Sequence, residues 1–270
     1  MRAAEAWRSH GALKRVAGYF GAQEAMEERS VDAVVAEMDE CGVDMSVVTG
    51  MVGVDPVYPS YNYTIDEVLG WCTEHPTRLR AAMNIDGMGS ISAVCRKLEE
   101  VASHPGLGVV RVIPISVNLA VNAAALYPVY ERCEALGVPV SVNVGVPGPP
   151  MRVKYQDPML LDDVLIDFPE LTVVAAHMGH PWESLLIRFM RKYERLHLAN
   201  SAWLADYLAP EVLRFMDSST GRDRLIFASD APLLPLRRAL DAARGLDLSP
   251  EAMRGFLGGN AARVMGLISG

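Results

Sequence analysis

The sequence predicts an α/β protein, a single (β/α)8 barrel of the TIM type. Short apolar runs alternate with amphipathic segments at a spacing of about 23 to 35 residues, the length of a strand–helix unit. The 270 residues match the usual size of such a barrel, and 50% of them are hydrophobic, enough to bury a large core. Because no linker, low-complexity segment or change of composition divides the chain, residues 1–270 are predicted to form one domain.

Seven apolar runs are predicted strands because they are short, rich in valine and alanine, and bounded by polar or turn residues. They are Val43–Thr49, Leu79–Asp86, Gly108–Ile113, Val138–Val144, Leu171–His177, Leu196–Asn200 and Leu225–Asp230. A closed barrel needs an eighth strand, which should precede Ser30. The best run there, Val16–Phe20, is short and interrupted by Gly18, so the first strand is expected to be missing or modified.

The segments between these runs carry apolar residues at helical spacing. The predicted helices are Ser30–Cys41, Tyr63–His75, Ser90–Ser103, Ala123–Leu136, Asp157–Phe168, Trp182–Tyr193 and Pro210–Asp217, followed near the C-terminus by Leu236–Ala243, Pro250–Phe256 and Asn260–Gly266. Start signals support several of them: Ser30 fits an N-cap, and Pro158 and Pro181 fit first-turn positions.

Composition argues against several classes of protein. The net charge of −8 is spread along the chain, so no basic face for nucleic acid is expected. No apolar run approaches the ~18–20 residues of a membrane span, and the N-terminal segment lacks the apolar stretch of a signal peptide. The four cysteines lack zinc-site spacing and are expected to be free thiols. These features predict a cytoplasmic protein without membrane or nucleic-acid partners.

Each predicted strand has a polar residue at or near its C-terminal end. These residues are Thr49, Asn84 (with Asp86), Arg111, Asn143 (with Ser141), His177, Asn200 and Asp230. Parallel strands bring such ends to one rim, which is the active-site face of a (β/α)8 barrel. Any one of these side chains alone is equally well explained as capping the next loop, but all seven together favour a site.

Loops above this rim add candidate substrate-binding residues. The Gly/Pro-rich loop 145–155 ends in Arg152, Lys154 and Tyr155, and Arg152 with Arg111 is suited to bind a carboxylate because a guanidinium pairs with it in bidentate fashion. His180 and Trp182 follow the strand-end His177 and are predicted to line the pocket. The alternatives are a solvated loop charge for the arginine and a plain core aromatic for the tryptophan.

Three segments carry a family resemblance: AAHMGHPWESLLIRFM (175–190), IFASDAP (226–232) and FLGGNAARVMGL (256–267). Together they resemble the amidohydrolase-related family. Its members are TIM-barrel, metal-dependent hydrolases and decarboxylases of the aminocarboxymuconate-semialdehyde and resorcylate types. The likeness runs from about Ser30 to the C-terminus, and the combination of the three segments is more specific than any one of them.

The resemblance implies a metal centre that this chain reproduces only in part. His177 matches the family's later strand-end histidine, and Asp230 matches its last-strand aspartate. The His-x-His pair of the first strand is absent from the chain, and Asn143 stands where the family has a middle-strand histidine. A catalytic zinc site takes three protein ligands, and His177 and Asp230 supply two. The resemblance leaves room for one divalent metal such as zinc at His177 and Asp230, but the residues of this chain favour a metal-free site.

The resulting expectation is an enzyme that hydrolyses or decarboxylates a small carboxylate-bearing or cyclic carbonyl compound. Asp230 would act as general acid/base and His177 as metal ligand or electrostatic partner, because a neighbouring carboxylate raises an imidazole pKa and burial raises that of an aspartate. The residues expected to bind the substrate are Asn84, Arg111, Asn143, Arg152, Tyr155, His180, Trp182 and Asn200.

Two alternatives stay open. The first is a metal-free lactone hydrolase or hydratase, and the second is a non-catalytic barrel that binds a small ligand. By analogy with the fold, a homo-oligomer, a dimer, is expected.

Overall fold

Seven parallel strands form one curled sheet in the order of the chain. The computed structural model describes Gly18 and residues 29–50, 63–86, 88–148 and 151–268. In this part of the chain the strands are β1 (Ser46–Thr49), β2 (Leu79–Asn84), β3 (Leu107–Val112), β4 (Val140–Asn143), β5 (Val173–Ala176), β6 (Leu196–Ala199) and β7 (Leu225–Ile226). All seven predicted strands are therefore confirmed. The predicted first strand before Ser30 lies outside the described residues.

Six of the seven strands end earlier than the sequence predicts, and β7 shows why. It was expected to run to Asp230, but it stops at Ile226. The backbone N–H of Phe227 donates to the carbonyl of Phe256 at 2.9 Å, and that of Ala228 donates to Oδ1 of Asn200 at 2.9 Å. Because these donors bind groups other than a neighbouring strand, the segment up to Asp230 leaves the ladder and forms a loop.

The helices lie where the apolar spacing predicts them, except the four-residue helix Pro114–Val117, which is not predicted. They are α1 (Val31–Cys41), α2 (Ile65–Glu74), α3 (Ile91–Val101), α4 (Pro114–Val117), α5 (Tyr127–Leu136), α6 (Leu161–Asp167), α7 (Glu183–Lys192), α8 (Pro210–Met216), α9 (Leu236–Arg244), α10 (Pro250–Arg254) and α11 (Asn260–Val264). Ser30 caps α1 by accepting from the N–H of Ala33, as predicted. Pro181, predicted in the first turn of α7, instead precedes the helix, which begins at Glu183.

Alternate residues of each strand face the helices and build the main core. In β2, the residues Leu79, Ala81 and Met83 belong to this core, and in β4 Val140 and Val142 do so. By the two-residue period of a strand, the residues between them face the inside of the curled sheet. Within the described residues, the polar side chains at the C-terminal end of this inner face form the candidate site.

The C-terminal helices are tied to the sheet by a buried asparagine. A single π-helical turn, Gly255–Gly259, joins α10 to α11. Asn260, at the start of α11, is fully buried, and its Nδ2 donates to the carbonyls of Arg222 and Leu225 at 2.9 and 2.7 Å. These bonds hold the C-terminal segment against the start of β7.

Candidate active site

The carboxyl ends of the parallel strands carry a set of buried polar side chains. Buried polar residues are uncommon and need hydrogen-bond partners or a functional reason. Those at this rim and in the loops above it are Asn84, Asp86, Asn143, Gln156, Asn200 and Ser201. The position matches the rim that the sequence predicts for an active site. Gln156 and Ser201 were not singled out from the sequence because nothing in their local pattern marks them.

His177 follows β5 directly and is oriented by Ser201, which lies in the loop after β6. Its Nδ1 lies 3.1 Å from the carbonyl oxygen of Ser201 and 3.0 Å from Oγ of the same residue. Since a carbonyl oxygen can only accept, the proton of a neutral ring sits on Nδ1. Nε2 then carries the lone pair, the form needed to accept a proton or bind a metal. The backbone N–H of His177 also donates to Ser201 Oγ, at 3.1 Å.

The surroundings lower the pKa of His177. Burial has the largest effect, because it disfavours the charged ring, and the Arg111 guanidinium acts in the same direction. The Asp230 carboxylate and the backbone of Ser201 oppose the shift without reversing it. The sequence-based expectation of a raised pKa is therefore wrong, because it considered the carboxylate and not burial. His177 is neutral at neutral pH.

The backbone at both strand-end residues is strained. His177 and Asp230 have φ angles of 59° and 60°, and Met178 and Ala202 beside them have 58° and 63°. For residues with a Cβ, the left-handed region costs about 1–2 kcal/mol each. Such conformations persist only where the surrounding structure holds them, and they concentrate at functional sites. Their grouping around His177 and Asp230 supports this rim as the site.

Arg111 supplies a cation at the inner face of β3. Its Nη2 is 3.5 Å from Oδ1 of Asn143 on the neighbouring strand β4, a long contact. None of the ion pairs between described residues involves Arg111. Its charge acts on both His177 and Asp86. Its predicted contact with an anionic group of a ligand stays a prediction.

Asn84 and Asp86, near the end of β2, border a cavity of about 360 Å³. Asn84 donates from Nδ2 to Oγ1 of Thr49 at 2.8 Å and to the carbonyl of Gly50. Burial raises the pKa of Asp86 to about 6, against the opposing effects of its own backbone N–H and of Arg111. Tyr63 and Met88 are among the other lining residues. The sequence marked Asp86 as polar but gave no sign of this shifted pKa, which depends on burial.

The side-chain amide of Asn200 makes hydrogen bonds to the backbone of two different loops. Its Nδ2 donates to the carbonyl of Trp203 at 2.9 Å, and its Oδ1 accepts from the N–H of Ala228 at 2.9 Å. These bonds join the loop after β6 to the segment after β7. One amide hydrogen is left for a substrate, so the predicted contact with substrate stays a prediction.

The loop residues predicted to bind substrate lie at the outer edge of the rim. Arg152 is exposed, Tyr155 is half-buried, and the ammonium of Lys154 lies 5.1 Å from the ring centre of Tyr155. The loop is fixed at its base: the N–H of Gly145 donates to the carbonyl of Gln156 at 2.8 Å, and Nε2 of Gln156 donates back to the Gly145 carbonyl at 3.2 Å. No described contact links Arg152 to Arg111.

His180 is paired with groups other than His177. Its Nδ1 lies 2.6 Å from Oε1 of Glu183, in the first turn of α7, and its ring centre lies 4.3 Å from that of Trp203. Trp182 is half-buried at the N-cap position of the same helix. Trp203 was not identified from the sequence. Both ring systems lie close to the rim, and their contact with substrate stays a prediction.

The side chains present do not fit the metal centre that the family resemblance implies. Across the described ranges, no three His, Cys, Asp or Glu side chains lie close enough together to hold an ion. The full sequence has no His-x-His pair, and Asn143, a neutral amide, replaces a histidine ligand.

A family model described as Amidohydrolase matches residues 8–267. The chain belongs to this amidohydrolase family. The match covers the rim residues, including His177 and Asp230. Among curated proteins, none matches the chain in a sequence comparison. In the described part of the chain, no helix combines the length and apolar character needed to cross a membrane.

Solved structures support the barrel fold. An uncharacterized TIM-barrel protein from Bordetella bronchiseptica is similar with a TM-score of 0.81 and 25% identity, over 93% of this chain and 89% of that one. The 5-carboxyvanillate decarboxylase of Sphingomonas paucimobilis gives 0.66 and 17%, over 94% and 96%. The 2,6-dihydroxybenzoate decarboxylase of Rhizobium gives 0.70 and 16%, over 88% and 89%. At these identities the two decarboxylases establish the fold alone.

Proposed function

We propose that this amidohydrolase-family protein is an enzyme that decarboxylates or hydrolyses a small carboxylate-bearing or cyclic carbonyl compound. Asp230 is the general acid/base and His177 its neutral partner. The observation that carries the proposal is the orientation of His177 by Ser201, which leaves Nε2 with a lone pair in the electrostatic range of Asp230. The similar structures that decarboxylate aromatic carboxylates make that class the first to test.

Arg111 holds the substrate in this proposal. A carboxylate that enters the rim meets a guanidinium without an ion-pair partner among the described residues, beside the amide of Asn143. Charge-assisted hydrogen bonds of this type are roughly twice as strong as neutral ones. Arg152 lies on an exposed loop, so its part is an outer contact with the same anion or a second polar group.

In decarboxylation, the bond from carbon to the carboxylate breaks, CO2 leaves, and the electron pair left on carbon takes a proton. Nε2 of His177, which carries a lone pair, takes a proton from water and passes it to the Asp230 carboxylate, and hydroxide is left. Asp230 donates this proton to the carbon, so both groups return to their starting forms. General acid/base catalysis by one such group contributes about 10²- to 10⁴-fold to a rate.

Lactone hydrolysis without a metal is the second candidate. It is favoured because His177 and Asp230 lack a third metal ligand among the described side chains. Here water attacks the carbonyl carbon and gives its proton to Asp230 or Nε2 of His177, the carbon–oxygen ring bond breaks, and the leaving oxygen is protonated. Asn143 is the side-chain amide proposed to act on the carbonyl oxygen, because both N–H groups of Asn84 already donate to Gly50 and Thr49.

The test is turnover by the purified full-length chain. We would measure CO2 release from 2,6-dihydroxybenzoate and 5-carboxyvanillate, and proton release from five- and six-membered lactones. Asp230→Asn should lower kcat/KM at least about 100-fold. The control is Asp241→Asn, which alters an exposed aspartate on α9 and should leave activity unchanged.

Two results would overturn the proposal. One is full activity in both Asp230→Asn and His177→Ala, which would place the chemistry elsewhere. The other is tight binding of these compounds without turnover, which would instead support a non-catalytic ligand-binding barrel. Dimer formation stays a prediction and would be measured separately by sedimentation.

A further inference from the structure

Two acceptor oxygens at the end of β2 are buried without a donor. They are Oδ1 of Asn84 and Oδ1 of Asp86, and neither has a hydrogen-bond partner in the described part of the protein. The two residues are 4% and 1% exposed. Asn84 is the last residue of β2 and lies on the inner face of the sheet, and Asp86 follows in the turn after the strand and lines the same cavity. Buried polar atoms are satisfied in most proteins, and an exception calls for an explanation.

The orientation of the Asn84 amide is fixed by its other contacts. Its nitrogen donates to the carbonyl of Gly50 and to Oγ1 of Thr49. A flipped amide would place its oxygen against the Gly50 carbonyl, and two acceptors repel each other. The unpartnered atom is therefore the oxygen, and it needs a donor from outside these residues.

Both residues line the cavity of about 360 Å³ beside β2. Ligand pockets are about 300–1,000 Å³, so this volume suits a small organic molecule. The Asp86 oxygen is itself screened from solvent. The terminal torsion of an aspartate is broad and roughly two-fold. A modest rotation of the carboxyl group can therefore turn this oxygen toward a group in the cavity.

The local charge balance favours a neutral donor. Asp86 and Arg111 act on each other electrostatically, and Lys97 and Asp66, the other charged residues that line the cavity, form an ion pair at 2.7 Å. The carboxylate charge is thus already offset, and an added ammonium group would leave a net positive charge in a buried site. A hydroxyl group brings a donor without a charge.

We propose that Asn84 and Asp86 form a subsite that binds a hydroxyl group of the substrate, next to the carboxylate position at Arg111. The proposal rests on the function proposed above, because it adds a second recognition point to the same site. It predicts a substrate that carries both a carboxylate and a hydroxyl. The carboxylate binds the Arg111 guanidinium on β3, and the hydroxyl donates to the acceptor oxygens of Asn84 and Asp86 at the end of the neighbouring strand β2.

Calorimetric titration with three probes tests this subsite in the full chain. Benzoate carries the carboxylate alone, 3-hydroxybenzoate carries both groups, and resorcinol carries hydroxyls alone. The wild-type protein should bind 3-hydroxybenzoate at least about tenfold more tightly than benzoate, the ratio expected for a hydrogen bond to a charged acceptor. Asp86→Leu should reduce this ratio to within twofold and weaken the binding of resorcinol. Asp86→Asn keeps an oxygen and the shape of the side chain, and should give an intermediate ratio.

The subsite is disproved by a wild-type ratio within twofold, or by a ratio that Asp86→Leu and Asp86→Asn leave intact. If Asp86→Leu does not fold, Asp86→Asn decides alone. Failure of the proposed function has a different signature: benzoate does not bind, or its affinity is the same in Arg111→Met. Resorcinol lacks a carboxylate, so its loss of affinity in the Asp86 variants still reports on the subsite in that case.

Discussion

The imidazole Nδ1 of His177 donates to the backbone carbonyl of Ser201, 3.1 Å away, while the Ser201 hydroxyl accepts the backbone N–H of His177. One residue thus fixes both the ring and the strained backbone of the other. Any substitution of Ser201 keeps its backbone carbonyl, but most substitutions remove its hydroxyl. The two contributions can therefore be separated experimentally.

Ser201→Ala should lower the free energy of unfolding by about 1–2 kcal/mol, because it leaves a partly buried N–H without an acceptor. Ser201→Thr keeps the hydroxyl and is the control. Urea unfolding measures the stability, and nitrogen NMR of the histidine rings measures the tautomer of His177. A stability equal to that of the wild type would show that the hydroxyl is not needed to hold the turn.

Asp86→Asn should stabilise the protein at pH 7.5. The folded-state pKa of Asp86, about 6, lies above the ordinary value of 3.8. Between these two pH values the carboxyl group keeps its proton in the folded protein and releases it in the unfolded chain. This carboxyl therefore makes folding less favourable as the pH rises from about 4 to 6, and the full cost persists above that window. We expect a gain of about 1–3 kcal/mol at pH 7.5 and none near pH 4. Equal stability of both proteins at pH 7.5 would contradict it.

His197 should make stability fall in acid. Burial, then Arg224 and Arg263, lower its folded-state pKa from 6.5 to about 4. Below pH 6.5 the His197 ring is protonated in the unfolded chain but stays neutral in the folded protein. The free energy of unfolding therefore decreases as the pH falls from 6.5 to about 4. His197→Gln should remove about 1–3 kcal/mol of this loss, measured by urea unfolding at pH 7.5 and 4.5. His177 acts in the same direction, so a smaller slope should remain. An unchanged slope would count against a neutral, buried His197.

Gly145→Ala should disturb the turn that carries His177. Gly145 has a φ of +94°, and an added Cβ would lie 2.7 Å from the carbonyl carbon of Gly179 and from the backbone oxygen of His180. Backbone atoms cannot move aside as a side-chain end can, so we expect a loss of about 2 kcal/mol or more together with reduced activity. The control, Gly148→Ala in the same loop, meets no atom within 4 Å and should be neutral. Equal effects of the two substitutions would exclude this mechanism.

Elemental analysis of protein purified without chelators should find well under one equivalent of any divalent transition metal. The expectation follows from the donor set, in which His177 and Asp230 lack a third ligand among the described side chains. One equivalent of zinc or manganese that is lost in His177→Ala would overturn it, and would point to a ligand from residues outside the described ranges.

The strands and helices could be predicted from the sequence because their apolar spacing records which faces are buried. Runs such as Val138–Val144 carry that pattern directly, and polar residues at their ends indicate the rim. The end of β7 could not be predicted in this way. It depends on the carbonyl of Phe256 and the side chain of Asn200, which are distant in the sequence.

The candidate site was predictable in its location more than in its electrostatics. Family-like segments identified His177 and Asp230, but the direction of the His177 pKa shift depends on burial, which a linear sequence does not show. The same is true of Asp86. Gln156 and Ser201 act through contacts with the backbone of distant residues, and no local pattern distinguishes them from ordinary loop residues.

The paired hydrogen bonds between Gly145 and Gln156 have a consequence for engineering. They join the two ends of the loop 146–155 through atoms of Gly145 and Gln156, which lie outside the loop. The loop can therefore be exchanged as a cassette, with new side chains brought over the pocket while β4 and its Asn143 stay in place. An exchange of this kind would test the predicted substrate contacts of Arg152 and Tyr155.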